Sequence, residues 1–288
     1  MAHIYSHASP RAVDHLVLPV MDLDVARSRL EALGFTVAAN GYHPFGTVNA
    51  CVFLADKTYL EPLAITDPIA VDAALDAGNA FIARDRLFRQ HRQEGLSAIV
   101  VQSDDAKADH EAFAAAGISG GDMFEFSRPV RLPDGRETTS SFRLAFAVDE
   151  AEEQFFAFAC QRLNPLPADR AALERHANGT LGLKRLLIQS ARHESRDPWM
   201  QSVLGADGSS ITNGTAFDAQ NLRIEATESE FAEDGFLAFA LVFTVADLEV
   251  TAAALAANGV VYQKLSGGIT VPAAPGQGVA FLFEENAS

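Results

Sequence analysis

Residues 14–35 read DHLVLPVMDLDVARSRLEALGF: an apolar strand pattern runs into Asp22-Leu23, a helical stretch follows, and Gly34 ends it. Twelve positions separate Asp22 from Gly34, and the same separation recurs in SAIVVQSDDAKADHEAFAAAGI, between Asp105 and Gly117, and in AFALVFTVADLEVTAAALAANGV, between Asp247 and Gly259. Each copy carries the same physical content. An aspartate at the strand exit accepts bonds from first-turn amides that lack partners, and a glycine past the last turn supplies a left-handed cap. Repeats at one spacing set the architecture before any single element is assigned.

Strand patterns follow each helix: FTVAAN, GTVNACVFLA and KTYLEPLAI after Gly34; MFEFSRPVRL, TSSFRLAFAV and QFFAFACQ after Gly117; VVYQKL, GGITVPA and GVAFLFEE after Gly259. Turn residues such as Pro133-Asp134-Gly135 separate them. The unit is therefore β-α-β-β-β. LGLKRLLIQSARHESRDPWMQSVLG supplies a fourth, weaker copy with its helix around Trp199 to Leu204, followed by SITNGTAF and NLRIEAT. The chain is expected to be α+β, with four units paired into two domains at 11–165 and 180–288. Residues 166–179, polar and proline-bearing, form the expected linker.

The 288 residues suit two cores, and 48% hydrophobic against 21% charged residues is a globular balance. A formal net charge of -16 argues against nucleic acid and anionic membrane surfaces. The densest basic run, Arg84, Arg86, Arg89 and Arg92, is expected to be a solvated helix face. No segment has the apolar length of a membrane span, and the N-terminal residues lack the apolar core of a signal peptide. Cys51 and Cys160, each in an apolar segment, are expected to be buried free thiols in a reducing compartment. A cytoplasmic protein is the simplest expectation.

Paired β-α-β-β-β units with these motifs resemble the glyoxalase-like members of the vicinal oxygen chelate superfamily. The residues that carry the resemblance are the Asp-His start at Asp14-His15, the His-Pro…Gly-Thr-x-Asn turn from His43 to Asn49, the Tyr-Leu-Glu strand ending at Glu61, and the SRPVRLPDGRETTSSFRLAF stretch of the second unit. The match spans roughly residues 12–185; beyond it only the architecture is shared. The resemblance implies two half-open barrels, the first expected to carry a small-molecule cavity and the second to be degenerate or supporting, with a homodimer as an admissible assembly. It also implies a divalent metal, Zn, Ni, Fe or Mn, held by His15 and Glu61 in those members that use one, with lyase, isomerase or dioxygenase chemistry on neighbouring oxygens. Relatives of the bleomycin-resistance kind bind or sequester a small molecule without metal.

Strand alternation puts His15 and Glu61 on faces that meet if both line one hollow. Three readings of the pair stand side by side: metal ligands, a general base in Glu61 with its pKa raised by apolar neighbours, or a structural pair with each other or with Arg128 or Arg143. Three protein ligands are usual for a catalytic metal, and the equivalent positions in other units hold Ala98, Arg185, Ala240 and, approximately, Leu282. A third ligand would have to come from His43, Gln161 or His176. His43 is the better functional candidate at the rim; Asn49, Arg128, Arg143, Phe158 and Gln161 are candidate substrate contacts, the arginines through a carboxylate. The expected ligand is small, oxygenated and partly hydrophobic.

Overall fold

The computed structural model describes residues 9–131, 135–149, 152, 154–164, 170–191, 193–229 and 235–286. The first sheet contains β1 (Val13–Pro19), β2 (Gly41–Tyr42), β3 (Thr47–Asn49), β4 (Val52–Phe53), β5 (Tyr59–Ile65), β6 (Ala98–Ser103), β7 (Phe124–Arg131), β8 (Glu137–Ala147) and β9 (Phe156–Arg162). The second contains β10 (Thr180–Ser190), β11 (Gly208–Ile211), β12 (Gly214–Asp218), β13 (Arg223–Glu228), β14 (Leu237–Val245), β15 (Gln263–Leu265), β16 (Gly268–Val271) and β17 (Ala280–Glu285). Helices are α1 (Leu23–Ala32), α2 (Pro68–Asp76), α3 (Ala80–His91), α4 (Ala106–Ala115), α5 (Asp197–Leu204) and α6 (Leu248–Ala257).

Strand order is β2-β3-β5-β1-β6-β9-β8-β7 in one sheet, with β4 also on β5, and β11-β12-β13-β10-β14-β17-β16-β15 in the other. In every unit the first strand lies parallel to the last, and the first strands of two units meet antiparallel at the centre. The first unit thus pairs with the second and the third with the fourth. Each pair forms a half-open barrel.

The repeated spacing does what its chemistry demands. Asp22, Asp105 and Asp247 each accept bonds from first-turn amides of α1, α4 and α6, and Gly34, Gly117 and Gly259 hold φ of +87°, +72° and +67°. Three strand expectations need correction. Residues 35–40 carry no strand, and GTVNACVFLA breaks into β3 and β4 at Ala50-Cys51. SITNGTAF proves to be a hairpin, with β11 and β12 joined through Asn213 at φ +57°.

Alternation sorts the two faces of the first sheet. Leu16, Leu18, Ile99, Val101, Ala157 and Ala159 join Leu30, Leu33 and Phe113 of the α1 and α4 segments in one core. That core runs on into the second sheet, where Phe35 packs on Phe243, Phe281 and Phe283. The opposite, inner face carries Val17, Leu63, Val100, Phe156 and Phe158, against which Val71, Phe81 and Ile82 of α2 and α3 pack. This helical pair is an insertion between the first two units; the corresponding connection in the second half, residues 229–236, is too short to hold one. The basic run on α3 is not simply a solvated face. Arg89 pairs with Asp85 at 2.7 Å and donates to the carbonyls of Val20 and Leu63, and Arg92 donates to Gln154. Long arginines here brace the insertion against the backbone of the sheet.

Cys51 and Cys160 are both buried and unpaired. The expected linker lies partly outside the described residues. Its remainder is docked: His176 accepts from Thr36 N–H and meets the Phe53 carbonyl, and Asn178 donates to Leu33. Among the described residues no helix is long and apolar enough to cross a membrane.

Candidate functional site

His15 on β1 and Glu61 on β5 both face the inner side, offset by one pair in the parallel register (His15↔Tyr59, Val17↔Glu61). They meet. His15 Nε2 lies 3.1 Å from Glu61 Oε2, and His15 Nδ1 lies 2.8 Å from Asp14 Oδ2. Asp14 in turn accepts both Arg162 nitrogens at 2.8 Å, in the forked geometry that suits a guanidinium. The imidazole is fixed by Tyr59 stacked at 4.3 Å and Phe158 edge-on at 5.8 Å.

On the far side of Glu61, Asn49 Nδ2 donates to Oε1 at 2.5 Å. The second amide hydrogen points toward His43 Nε2, 3.4 Å away, which itself lies 3.9 Å from Glu61 Oε1. An acceptor at Nε2 leaves the His43 proton on Nδ1, which donates to Thr47 Oγ1 at 2.8 Å. Phe45 stacks on His43 and Phe126 meets it edge-on. The Gly-Thr-x-Asn turn therefore does more than reverse the chain. Its asparagine faces both the His43 ring and the Glu61 carboxylate, and its threonine partners the other nitrogen of that ring.

Arg128 reaches the same place from β7, the opposite edge of the sheet. Its guanidinium lies directly on Gly41 of edge strand β2, where a Cβ would sit 1.8 Å from Nη1 and 2.5 Å from Asn49 Oδ1. A side chain at position 41 would displace the guanidinium or the Asn49 amide. Arg128 makes no ion pair among the described residues, and its Nε is buried without a partner. The remaining candidates lie elsewhere. Arg143 pairs across strands with Glu125 on the exposed face, Gln161 accepts from Ala106 N–H and donates to the Asp104 carbonyl at the start of α4, and His176 holds the linker.

Charge follows from these partners. Burial opposes ionisation of Glu61, yet its hydrogen bond to His15, the charges of both histidines and the Asn49 amide bring its pKa down from 4.5 to about 2. The expectation of a raised carboxyl is corrected: the polar partners outweigh the apolar walls. Burial likewise opposes a proton on His15, but hydrogen bonds to Asp14 and Glu61 raise its pKa. His43 is brought down to about 4, by burial first, with Arg128 and His15 adding to it against the pull of Glu61. The chain Arg162–Asp14–His15–Glu61 thus alternates basic and acidic groups that favour each other's charged forms, beside His43, whose proton is disfavoured, and Arg128, which makes no ion pair among the described residues.

The pair has a signature in stability. Glu61, with a lowered pKa, contributes in full above its ordinary value and loses its contribution as pH falls toward the folded value; His15, raised, contributes in full below its ordinary value and loses it as pH rises through the folded one. The stability difference between the parent chain and E61Q, followed by urea denaturation, is expected to be greatest between pH 4.5 and 6.5 and to shrink on both sides. A difference independent of pH would mean that the pair is not ionised.

The donor set does not fit a divalent metal. A ligating imidazole must present a neutral lone pair, and the carboxylates at both His15 nitrogens favour its protonated form instead. Both Glu61 oxygens are engaged, and among the described residues no three His, Cys, Asp or Glu side chains are arranged to hold an ion. The second half repeats the arrangement in another form. Its parallel register (Arg185↔Arg223, Leu187↔Glu225) sets Arg185 at the place of His15 and Glu225 at that of Glu61, 3.4 Å apart. A cation–carboxylate pair therefore occupies these two places in both halves. Glu225 was not singled out from sequence because its unit lacks the Asp-to-Gly spacing; its position two residues beyond Arg223 on the same strand face is the signal that was there.

A family model described as a glyoxalase-like domain matches residues 13–204. The chain belongs to the glyoxalase-like domain family. Solved structures resemble this glyoxalase-like chain along its length. A hypothetical protein from Staphylococcus aureus has a TM-score of 0.71 at 11% identity, with 95% of this chain and 99% of that one covered. A mutant 4-hydroxymandelate synthase from Streptomyces coelicolor has a TM-score of 0.63 at 14% identity, covering 96% and 93%. A fusion of a xylose isomerase-like TIM barrel with 4-hydroxyphenylpyruvate dioxygenase has a TM-score of 0.58 at 14% identity, with 98% of this chain on 50% of that one. At these identities the likeness is one of fold. No curated protein matches the glyoxalase-like chain.

Proposed function

We propose that this glyoxalase-like chain binds a small, oxygenated, partly aromatic molecule on the inner face of its first half, through its own side chains and without a resident metal. The observation that carries the reading is the closed Asp14–His15–Glu61 chain, which puts a carboxylate against each ring nitrogen of His15. Support comes from the second half, where Arg185 and Glu225 stand at the same two places. Arg128, the unpaired cation, would take a ligand carboxylate or carbonyl, and neutral His43 would accept from a hydroxyl. Phe45, Phe126 and Phe158 supply the apolar walls.

The test uses 4-hydroxyphenylpyruvate as probe, an aromatic acid with adjacent carbonyl and carboxylate oxygens. Protein purified without chelators is expected to contain far less than one transition metal per chain, and the probe is expected to raise its melting temperature. The rise should disappear in Arg128→Gln. Stoichiometric metal that is lost in Glu61→Gln would instead assign metal-dependent chemistry on neighbouring oxygens and overturn the metal-free reading. Absence of any probe effect, with metal also absent, would remove the proposed ligand class.

A further inference from the structure

At the end of the first half where β1 begins and β9 ends lies a cavity of about 200 Å³ that includes Asp14, Phe53, Lys57, Arg162, Arg170 and Glu174 in its wall. It is separate from the inner-face site. Glu61, His43, Asn49 and Arg128 do not border it; Asp14 and Arg162 are the residues it shares with the charge chain. At roughly 30 Å³ per water, the space suits a molecule of about seven heavy atoms.

The charges around this cavity do not cancel. Asp14 is taken by both Arg162 nitrogens, and Glu174 by Lys57 at 2.8 Å. Arg170 remains. Its guanidinium lies over the Phe53 ring, 4.2 Å from the centroid, and makes no ion pair among the described residues. One positive charge thus faces the void from an aromatic platform, in a chain whose formal net charge is -16. The rim is held in advance of any ligand: Lys57 keeps a φ of +74°, while Asp56 accepts from Thr58 and from Leu183 of the second sheet at 2.9 and 2.7 Å.

We propose that this cavity is a binding site for a small organic monocarboxylate, held by the Arg170 guanidinium with its hydrocarbon part against Phe53. A single negative charge matches Arg170, the lining cation that has no ion pair among the described residues. A phosphate or a dicarboxylate would have to break Asp14–Arg162 or Glu174–Lys57 to neutralise its second charge. A guanidinium takes a carboxylate bidentately, and a flat ring beneath it favours a compact apolar tail.

Isothermal titration of the full chain with isobutyrate, and with isobutyramide as its neutral isostere, tests the proposal. Isobutyrate is expected to bind saturably at one site, with isobutyramide weaker by roughly tenfold or more. Arg170→Gln should weaken isobutyrate by a similar factor, and Ile69→Ala, on the exposed side of α2 and outside both sites, should leave it unchanged. Equal binding of acid and amide, an absence of saturable heat, or an Arg170→Gln variant that keeps parent affinity would each overturn the assignment. A loss in Arg128→Gln with none in Arg170→Gln would place the acid at the inner-face site and also overturn it. If Arg170→Gln does not fold, the comparison of acid with amide on the parent chain still decides.

Discussion

Asp14→Ala is expected to cost about 3 kcal/mol of stability, measured by urea denaturation at neutral pH, and to lower the pKa of His15 when its ring protons are followed by NMR. Asp14 is 2% exposed and serves two cations at once, Arg162 through a fork and His15 through Nδ1. Removing one member of a buried ion pair typically costs about 3–5 kcal/mol, because the other is left desolvated and uncompensated. The lower end of that range applies here. Arg162 borders a cavity that water can enter, and His15 retains Glu61. Asp14→Asn keeps the shape but not the charge, so its cost should be nearly the same. A variant as stable as the parent, with an unmoved His15 titration, would show that the pair is held by packing and not by charge.

The second large effect is expected at Phe81→Ala, where loss of a buried ring should cost about 3–5 kcal/mol through lost transfer energy and a residual cavity. Phe81 is 4% exposed on α3 and packs on Phe45, Phe156 and Phe158 at centroid distances of 5.8, 6.4 and 5.9 Å. Phe45 and Phe158 are the rings that position His43 and His15. The same variant should therefore weaken probe binding on the inner face, whereas Ile69→Ala on α2, 83% exposed, should change stability by less than about 0.5 kcal/mol. Equal effects at the two positions would mean that the insertion does not depend on its contact with the sheet.

Much of this architecture is legible in the letters because it rests on local chemistry. A capping aspartate, an apolar helix and a left-handed glycine all act within one short stretch, so three copies at equal spacing define the units and their order. The convergence of His15 and Glu61 follows from alternation along two strands. What the letters do not carry is long-range partnership. Arg162 stands 148 positions from Asp14, and nothing near either residue points to the other. The segment holding α2 and α3 reads as helix, yet no local signal says which face of the sheet it will cover; that depends on Phe81 and Val71 finding Phe156, Phe158 and Leu63. Gln161 and Arg143 illustrate the converse. Each is a polar residue on a strand with a plausible direction, and each is drawn away by a nearer partner, the first turn of α4 in one case and a cross-strand glutamate in the other.

The inserted α2–α3 pair makes the two halves of the duplication unequal in traffic. A ligand bound as proposed on the first trough would sit under a roof pinned by Arg89 to the carbonyls of Val20 and Leu63, and its escape would be timed by the loosening of that roof as well as by the grip of the groups it touches. Among the described residues the second half carries no such helical pair between its two units.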